Sequence, residues 1–347
     1  MSTESVNNTL EPQHRPQFDA RDTELLQRAA KDTSSLDLSQ LCAAWNRGPT
    51  PEIDFGTALL YDRVLRRAEN RAFLDAVLCG ATVPLQDSVS FGIVPGAFYH
   101  EHKKTGADGA RVMDVLRQLG LGTEVVPVRS FGRVEENAAI IRDWLGRHEG
   151  RRPALIALSK GAADCKTALR SGGTEWDRVP AWINLSGLVQ GTPLIAWLRR
   201  RPLRMIGVRL LLRLRRQSFA AAADLHYGDS TPLAPWPELP STLRLVHVMA
   251  FPLRRHLRHP WSFRAYERLA PLGPNDGGGI LLNDVARLPG IVCPVWGVDH
   301  YLEPAWDITL FLRNVILASL AAPAPEPRQA SASAAAPMTA PAGRSRK

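Results

Sequence analysis

The chain has 347 residues, 45% hydrophobic and 22% charged, enough apolar mass for one large domain with appendages or for two small ones. Its four cysteines (Cys42, Cys79, Cys165, Cys293) form no CxxC pair and no Cys/His cluster of metal-ligand spacing, which excludes a zinc module and a disulfide framework and reads as reduced core thiols. The net charge of +9 argues against a nucleic-acid protein once it is located: residues 191–220 hold eight arginines and no acid, the tail from 321 carries +3, and the rest of the chain is left at −2.

Residues 1–17 are polar, with neither a basic nor an apolar leader region, and are expected to be disordered without a signal peptide. Residues 18–80 read as a helical extension, in which TALLYDRVLRRAENRAFLDAVL has apolar positions at helical spacing. From about 88 the pattern becomes a strict alternation. SVSFGIVPG is a strand ending at Pro95-Gly96, DGARVMDVLRQLG a helix closed by Gly120, TEVVPV a strand and VEENAAIIRDWLGRH a helix. PALIAL is a third strand, followed by a helix from Lys160 through Leu169; AWINLSG, LRLVHVMAF and GIVCPVWG are the fourth, fifth and sixth. Strands alternating with helices of about a dozen residues imply crossover units and a doubly wound, mostly parallel α/β sheet. The strands are near-continuous apolar runs, as when both faces are covered.

Two segments interrupt this order. Residues 187–241 form an insertion between the fourth and fifth strands, and residues 252–290, rich in His, Arg, Pro and Gly, lie between the fifth and sixth. The core is thus expected over 81–320. The Ala/Pro/Ser-rich tail, 321–347, is too poor in large apolar residues to fold. No run of about 20 apolar residues is present, so no membrane span is expected and the cytoplasm is the default location.

The chemistry concentrates where PALIAL meets Ser159. A nucleophile at a strand-to-helix elbow needs small residues two positions either side, because bulk there would clash in the strained turn. Here the pattern is Ala157-Leu158-Ser159-Lys160-Gly161. On this stretch alone a serine that simply caps the next helix reads equally well. An acyl-transfer site also needs an oxyanion hole, a base and an orienting acid. The backbone N–H of Lys160 follows the serine, and Pro95-Gly96-Ala97 is a small-residue turn that lets a second N–H, that of Ala97, approach an oxygen. His300 follows the last strand, and Asn275-Asp276-Gly277 lies between serine and histidine. The bland readings are a loop histidine for His300 and a turn aspartate for Asp276, with Asp284 and Asp299 as rival acids and Lys160 as a rival base. His100, His102, His247, His256 and His259 have no metal spacing of the H-E-x-x-H kind.

This set, in the order serine, aspartate, histidine over residues 88–316, resembles the α/β-hydrolase fold and in detail the bacterial triacylglycerol lipases and esterases. That family carries its acid in an N-D-G stretch a little over 20 residues before its histidine, an H-G-x oxyanion loop where this chain has Pro95-Gly96-Ala97, and a G-H-S-x-G elbow where this chain has A-L-S-K-G. The resemblance implies a serine esterase with Ser159, Asp276 and His300 as triad, Ala97 and Lys160 as oxyanion donors, and no metal or organic cofactor. The first two strands of the full fold are not evident, and the N-terminal helices are expected in their place. An acyltransferase or thioesterase using CoA or an acyl carrier, and a non-catalytic membrane-associated protein on the same fold, stay open.

The insertion IAWLRRRPLRMIGVRLLLRLRRQSF sits where lipase-like hydrolases carry a lid. Pro202 suits a helix first turn. Arg209, Arg213 and Arg216 share one face, and Ile206, Leu210 and Leu214 another. Such a helix is expected to cap an apolar acyl pocket with its arginines outward, toward water or toward an anionic membrane surface.

Overall fold

The computed structural model describes residues 16–32, 38, 40–41, 52–80, 89–303 and 306–321, except for the side chains of 282–284. The segments expected to be disordered thus lie outside the described residues, apart from 16, 17 and 321. Six strands form one sheet: β1 (Val89–Val94), β2 (Gly122–Val125), β3 (Arg152–Leu158), β4 (Ala181–Leu185), β5 (Arg244–Phe251) and β6 (Ile291–Trp296). Their order is β2-β1-β3-β4-β5-β6, and every pairing is parallel, with Ile156 of β3 opposite Ile183 of β4.

The two-residue period of a strand sorts the apolar runs onto two covered faces. Leu155 and Ala157 join a cluster with Trp144, Trp182 and Trp296, while Ala154 and Ile156 join another with Phe91, Ile183 and Phe311. The helices supplying these covers include α4 (Ala110–Gln118), α5 (Val134–Arg147), α6 (Lys160–Arg170) and, after β6, the apolar α12 (Thr309–Leu320). TEVVPV is a shorter strand than its pattern suggests. Val126 still donates to Ile93 O, but Pro127 has no N–H with which to continue the ladder.

The N-terminal helices differ from expectation in two ways. The long amphipathic stretch is two helices, α2 (Ile53–Leu65) and α3 (Ala68–Cys79), which follow α1 (Ala20–Lys31). The break falls at Arg67, whose backbone is extended, and Asn70 Nδ2 donates at 3.0 Å to Val64 O, a carbonyl that also accepts from Arg67 N–H at 3.3 Å, so the side chain ties the two helices together across the break. Nor do these helices substitute for strands. They pack along β6, where Val292 N–H donates to Asn70 Oδ1 at 2.8 Å and Tyr61 meets Trp296 edge-on. An open sheet edge is thereby covered by side chains rather than extended by more sheet.

Between β4 and β5 the chain forms α7 (Leu194–Arg199), α8 (Pro202–Leu214) and α9 (Phe219–Asp224). Between β5 and β6 it forms α10 (Pro260–Leu269) and α11 (Leu281–Arg287). Among the described residues no helix is long and apolar enough to cross a membrane.

Candidate active site

Ser159 sits between β3 and α6 with φ +46° and ψ −115°, the strained conformation of a sharp elbow. Its side chain makes no capping hydrogen bond to α6. Instead Oγ lies 2.9 Å from His300 Nε2. The small residue at 161 is required by the turn: a Cβ on Gly161 would stand 2.5 Å from Val94 O and 2.7 Å from Pro95 O. On the other side, a Cβ on Gly96 would already touch the Ser159 Cβ at 3.4 Å, so the Pro95-Gly96-Ala97 turn runs directly past the serine. Among the described residues the Ala97 N–H has no acceptor, although its neighbours Gly96 and Phe98 donate to Ala107 O and Ser130 O. Lys160 is the first residue of α6, where an N–H has no intrahelical partner.

His300 follows β6 and is buried. Its Nδ1 lies 2.9 Å from Asp276 Oδ2, and its backbone N–H donates to Asp276 O at 2.9 Å. Asp276 Oδ1 accepts from the N–H groups of Gly278 and Gly279, both at 2.7 Å. The loop that does this is pinned by Asn275, whose Oδ1 accepts from Gly277 N–H at 3.0 Å. Gly278 is a residue whose role the sequence pattern does not disclose: a Cβ there would lie 2.3 Å from His300 Nδ1, inside the imidazole. The run of three glycines after Asp276 was its only local signal.

With Asp276 accepting, Nδ1 carries the proton and Nε2 is left to accept from Ser159 Oγ–H. Burial pulls the His300 pKa down, but the charge and hydrogen bond of Asp276, with Asp299 beyond, outweigh it and hold it above the ordinary histidine value. Asp299 does not meet the imidazole nitrogens. Its Oδ2 accepts from Ser262 Oγ at 2.5 Å and its Oδ1 from Tyr301 N–H at 3.0 Å. The side chain of Asp284, the other rival, lies outside the described residues.

Lys160 does not face the serine either. Its Nζ donates to both oxygens of Asp164, at 2.6 and 2.8 Å, one helical turn on, and Asn137 Nδ2 donates to the same carboxylate at 2.8 Å. Adjacent side chains on an elbow diverge, which removes Lys160 as a partner of Ser159. Both members of the pair are buried, and burial lifts the Asp164 pKa against the pull of Lys160. Asp164→Ala would strand an ammonium in the core. It is expected to cost about 3–5 kcal/mol of stability in urea melts, whereas replacing both residues with apolar ones of similar volume should cost far less.

The serine and histidine open into a cleft of about 840 Å³, lined on its apolar side by Phe98, Leu188, Leu194, Val208, Leu211 and Leu212. Three of these belong to α8, so the insertion does wall the cleft. The wall is not the stripe expected from the sequence. Ile206, Leu210 and Leu214, together with Leu203, are exposed, Leu203 to 84%. The helix therefore has three faces, with Arg209 and Arg213 exposed on the third; Arg216, expected beside them, lies past the end of α8 with φ +55°, exposed but off the helix.

A six-stranded parallel sheet with a serine elbow at its third strand in sequence is the α/β-hydrolase fold, and the superposition on one solved structure agrees. The metagenomic carboxyl esterase MGS0156 superposes with a TM-score of 0.51 at 20% identity, over 70% of this chain and 77% of its own. The mature lipase BlEst2 of Bacillus licheniformis aligns with a TM-score of 0.47 at 17% identity, over 64% of this chain and 89% of its own. No protein-family model matches the sequence, and no curated protein matches it.

Proposed function

We propose that the protein is a serine hydrolase that cleaves a carboxylic ester with an apolar acyl part through an acyl-enzyme. The observation that carries this reading is the continuous relay Ser159 Oγ, His300 Nε2, His300 Nδ1, Asp276 Oδ2, with 2.9 Å at each hydrogen bond. His300 takes the proton from Ser159 Oγ as that oxygen bonds to the ester carbonyl carbon. The N–H groups of Ala97 and Lys160 hold the resulting oxyanion, and Asp276 keeps the imidazolium oriented. Collapse breaks the bond to the alcohol oxygen, which receives the proton from His300. Water then repeats the sequence on the acyl-enzyme and releases the acid. The cleft's apolar side is suited to the acyl chain. The likeness to MGS0156, a carboxyl esterase by name, is consistent with the reaction class. The test is a fluorophosphonate probe with peptide mapping, together with turnover of p-nitrophenyl esters: an adduct on the peptide containing Ser159 is expected, and an unlabelled, inactive protein would refute the reading.

The insertion adds a site of action. A stripe of exposed Leu203, Ile206, Leu210 and Leu214 beside exposed Arg209 and Arg213, with exposed Arg216 just past the helix end, is the pattern of a helix lying in an anionic interface. Replacing the three arginines with glutamate is expected to lower binding to phosphatidylglycerol-containing vesicles and to slow turnover of a long-chain ester far more than of a short soluble one. Unchanged vesicle binding with equal effects on both esters would leave α8 as a wall of the cleft only.

A further inference from the structure

Beside the serine cleft lies a second cavity of about 600 Å³, formed where α7 and the start of α8 meet α10. Five arginines line it: Arg200, Arg201 and Arg204 from the insertion, Arg264 and Arg268 from α10. Three of them crowd one indole. The guanidinium carbons of Arg201, Arg268 and Arg204 lie 4.1, 4.4 and 5.2 Å from the Trp197 ring centroid. None of the five makes an ion pair among the described residues. Glu267, the acid lining the cavity, is taken by Arg254 at 2.5 Å. Burial and the charges of Arg204, Arg264 and Arg201 all bear on Arg268 and lower its pKa, a sign of positive charge gathered without its counter-charge. Cation–π contacts with Trp197 orient the guanidinium planes but do not neutralise them. What neutralises such a group is an anion with several oxygens, and planar guanidinium forks match phosphate best.

The position of the cavity says whose anion it is. Arg264 and Arg268 line both this cavity and the cleft that holds Ser159 and His300. A molecule with its ester carbonyl at Ser159 and its acyl chain against Phe98 and Leu212 has its alcohol part free to reach these arginines. We propose that the cavity binds a phosphate group carried on the leaving alcohol or thiol of the substrate, so that the preferred substrate is an acyl ester of a phosphorylated compound. This rests on the reading of Ser159 as nucleophile. The phosphate has two chemical sources, a glycerophosphoester from lipid or the phosphates of an acyl-CoA thioester.

The test compares butanoyl glycerol, butanoyl glycerol 3-phosphate and butanoyl-CoA as substrates of the full-length chain. A phosphorylated substrate is expected to exceed the neutral ester by roughly 10-fold or more in kcat/KM, chiefly through KM, with an advantage that shrinks as salt rises. Whichever phosphorylated substrate leads identifies the source. Arg201→Gln/Arg204→Gln should cut the phosphorylated-to-neutral ratio by roughly 10-fold, the residual neutral turnover reporting that the variant is folded. Arg204→Gln alone, at an exposed position, should move the ratio the same way if the double variant does not fold. A ratio near one, or one that neither variant changes, overturns the proposal while leaving the hydrolase reading intact. Titration of glycerol 3-phosphate into Ser159→Ala separates the other failure. Anion binding there, in a protein that turns over none of the three substrates as wild type, would sink the hydrolase reading and with it the assignment of the phosphate to an ester substrate.

Discussion

Ser159→Ala is expected to abolish fluorophosphonate labelling and to lower ester turnover by roughly 10³-fold or more, about 4 kcal/mol of transition-state stabilisation, with the fold intact. The size follows from the geometry. The elbow holds Oγ at φ +46°, away from any capping role in α6, and 2.9 Å from the base. The change removes one oxygen from a half-buried position and no hydrogen bond that the helix needs, so the melting temperature should scarcely move. The Ala97 and Lys160 amides would remain, and with them whatever residual rate oxyanion stabilisation alone supports. Labelling that persists in this variant, or a loss of activity that tracks a loss of folded protein, would exclude Ser159 as the nucleophile.

Asp276→Asn is expected to cost on the order of 10²–10⁴ in turnover. An amide can donate to Nδ1, which would leave the proton on Nε2 and the wrong tautomer facing Ser159. A pH profile gives a second readout. His300 must be neutral to accept the serine proton, so activity falls as pH drops through its pKa. In the wild type Asp276 holds that pKa above the ordinary value of about 6.5 despite burial, and the acid limb should lie there. Without the carboxylate, burial is opposed only by Asp299, and the limb of the residual activity should move to lower pH. Asp284→Asn should cost much less. The reverse ranking of the two variants would move the acid to Asp284.

Alternation of buried strands with dozen-residue helices was legible in the sequence because both signals are local. A strand covered on both faces must be an apolar run, and a crossover helix must show the 3.6-residue period. The parallel doubly wound sheet follows from those runs, and the elbow around Ser159 from the small residues a tight turn demands. The place of His300 directly after the last strand was legible for the same reason. Other features depended on long-range contacts. Asp276, Asp284 and Asp299 are equivalent as residue types a short way before the histidine in sequence, and only the path of the Gly277–Gly279 turn brings the Asp276 carboxylate to Nδ1. The absence of a side chain at 278 matters because a ring 22 positions away occupies that space. Periodicity laid out an arginine face and a leucine face on α8 but missed the Val208, Leu211 and Leu212 face that meets the cleft, since a stripe of leucines reads alike against a core or against solvent. The split at Arg67 and the packing of α2 and α3 along β6 likewise turn on Asn70, whose two hydrogen bonds reach Val64 in its own neighbourhood and Val292 far along the chain. The arginine cavity joins segments some sixty residues apart around Trp197, and a charge count along the chain shows the arginines of 199–216 without the two from α10 that complete it. Sequence patterns record what each element must bury or expose; which elements face one another is decided by the summed packing of the whole sheet, and that is where the site is assembled.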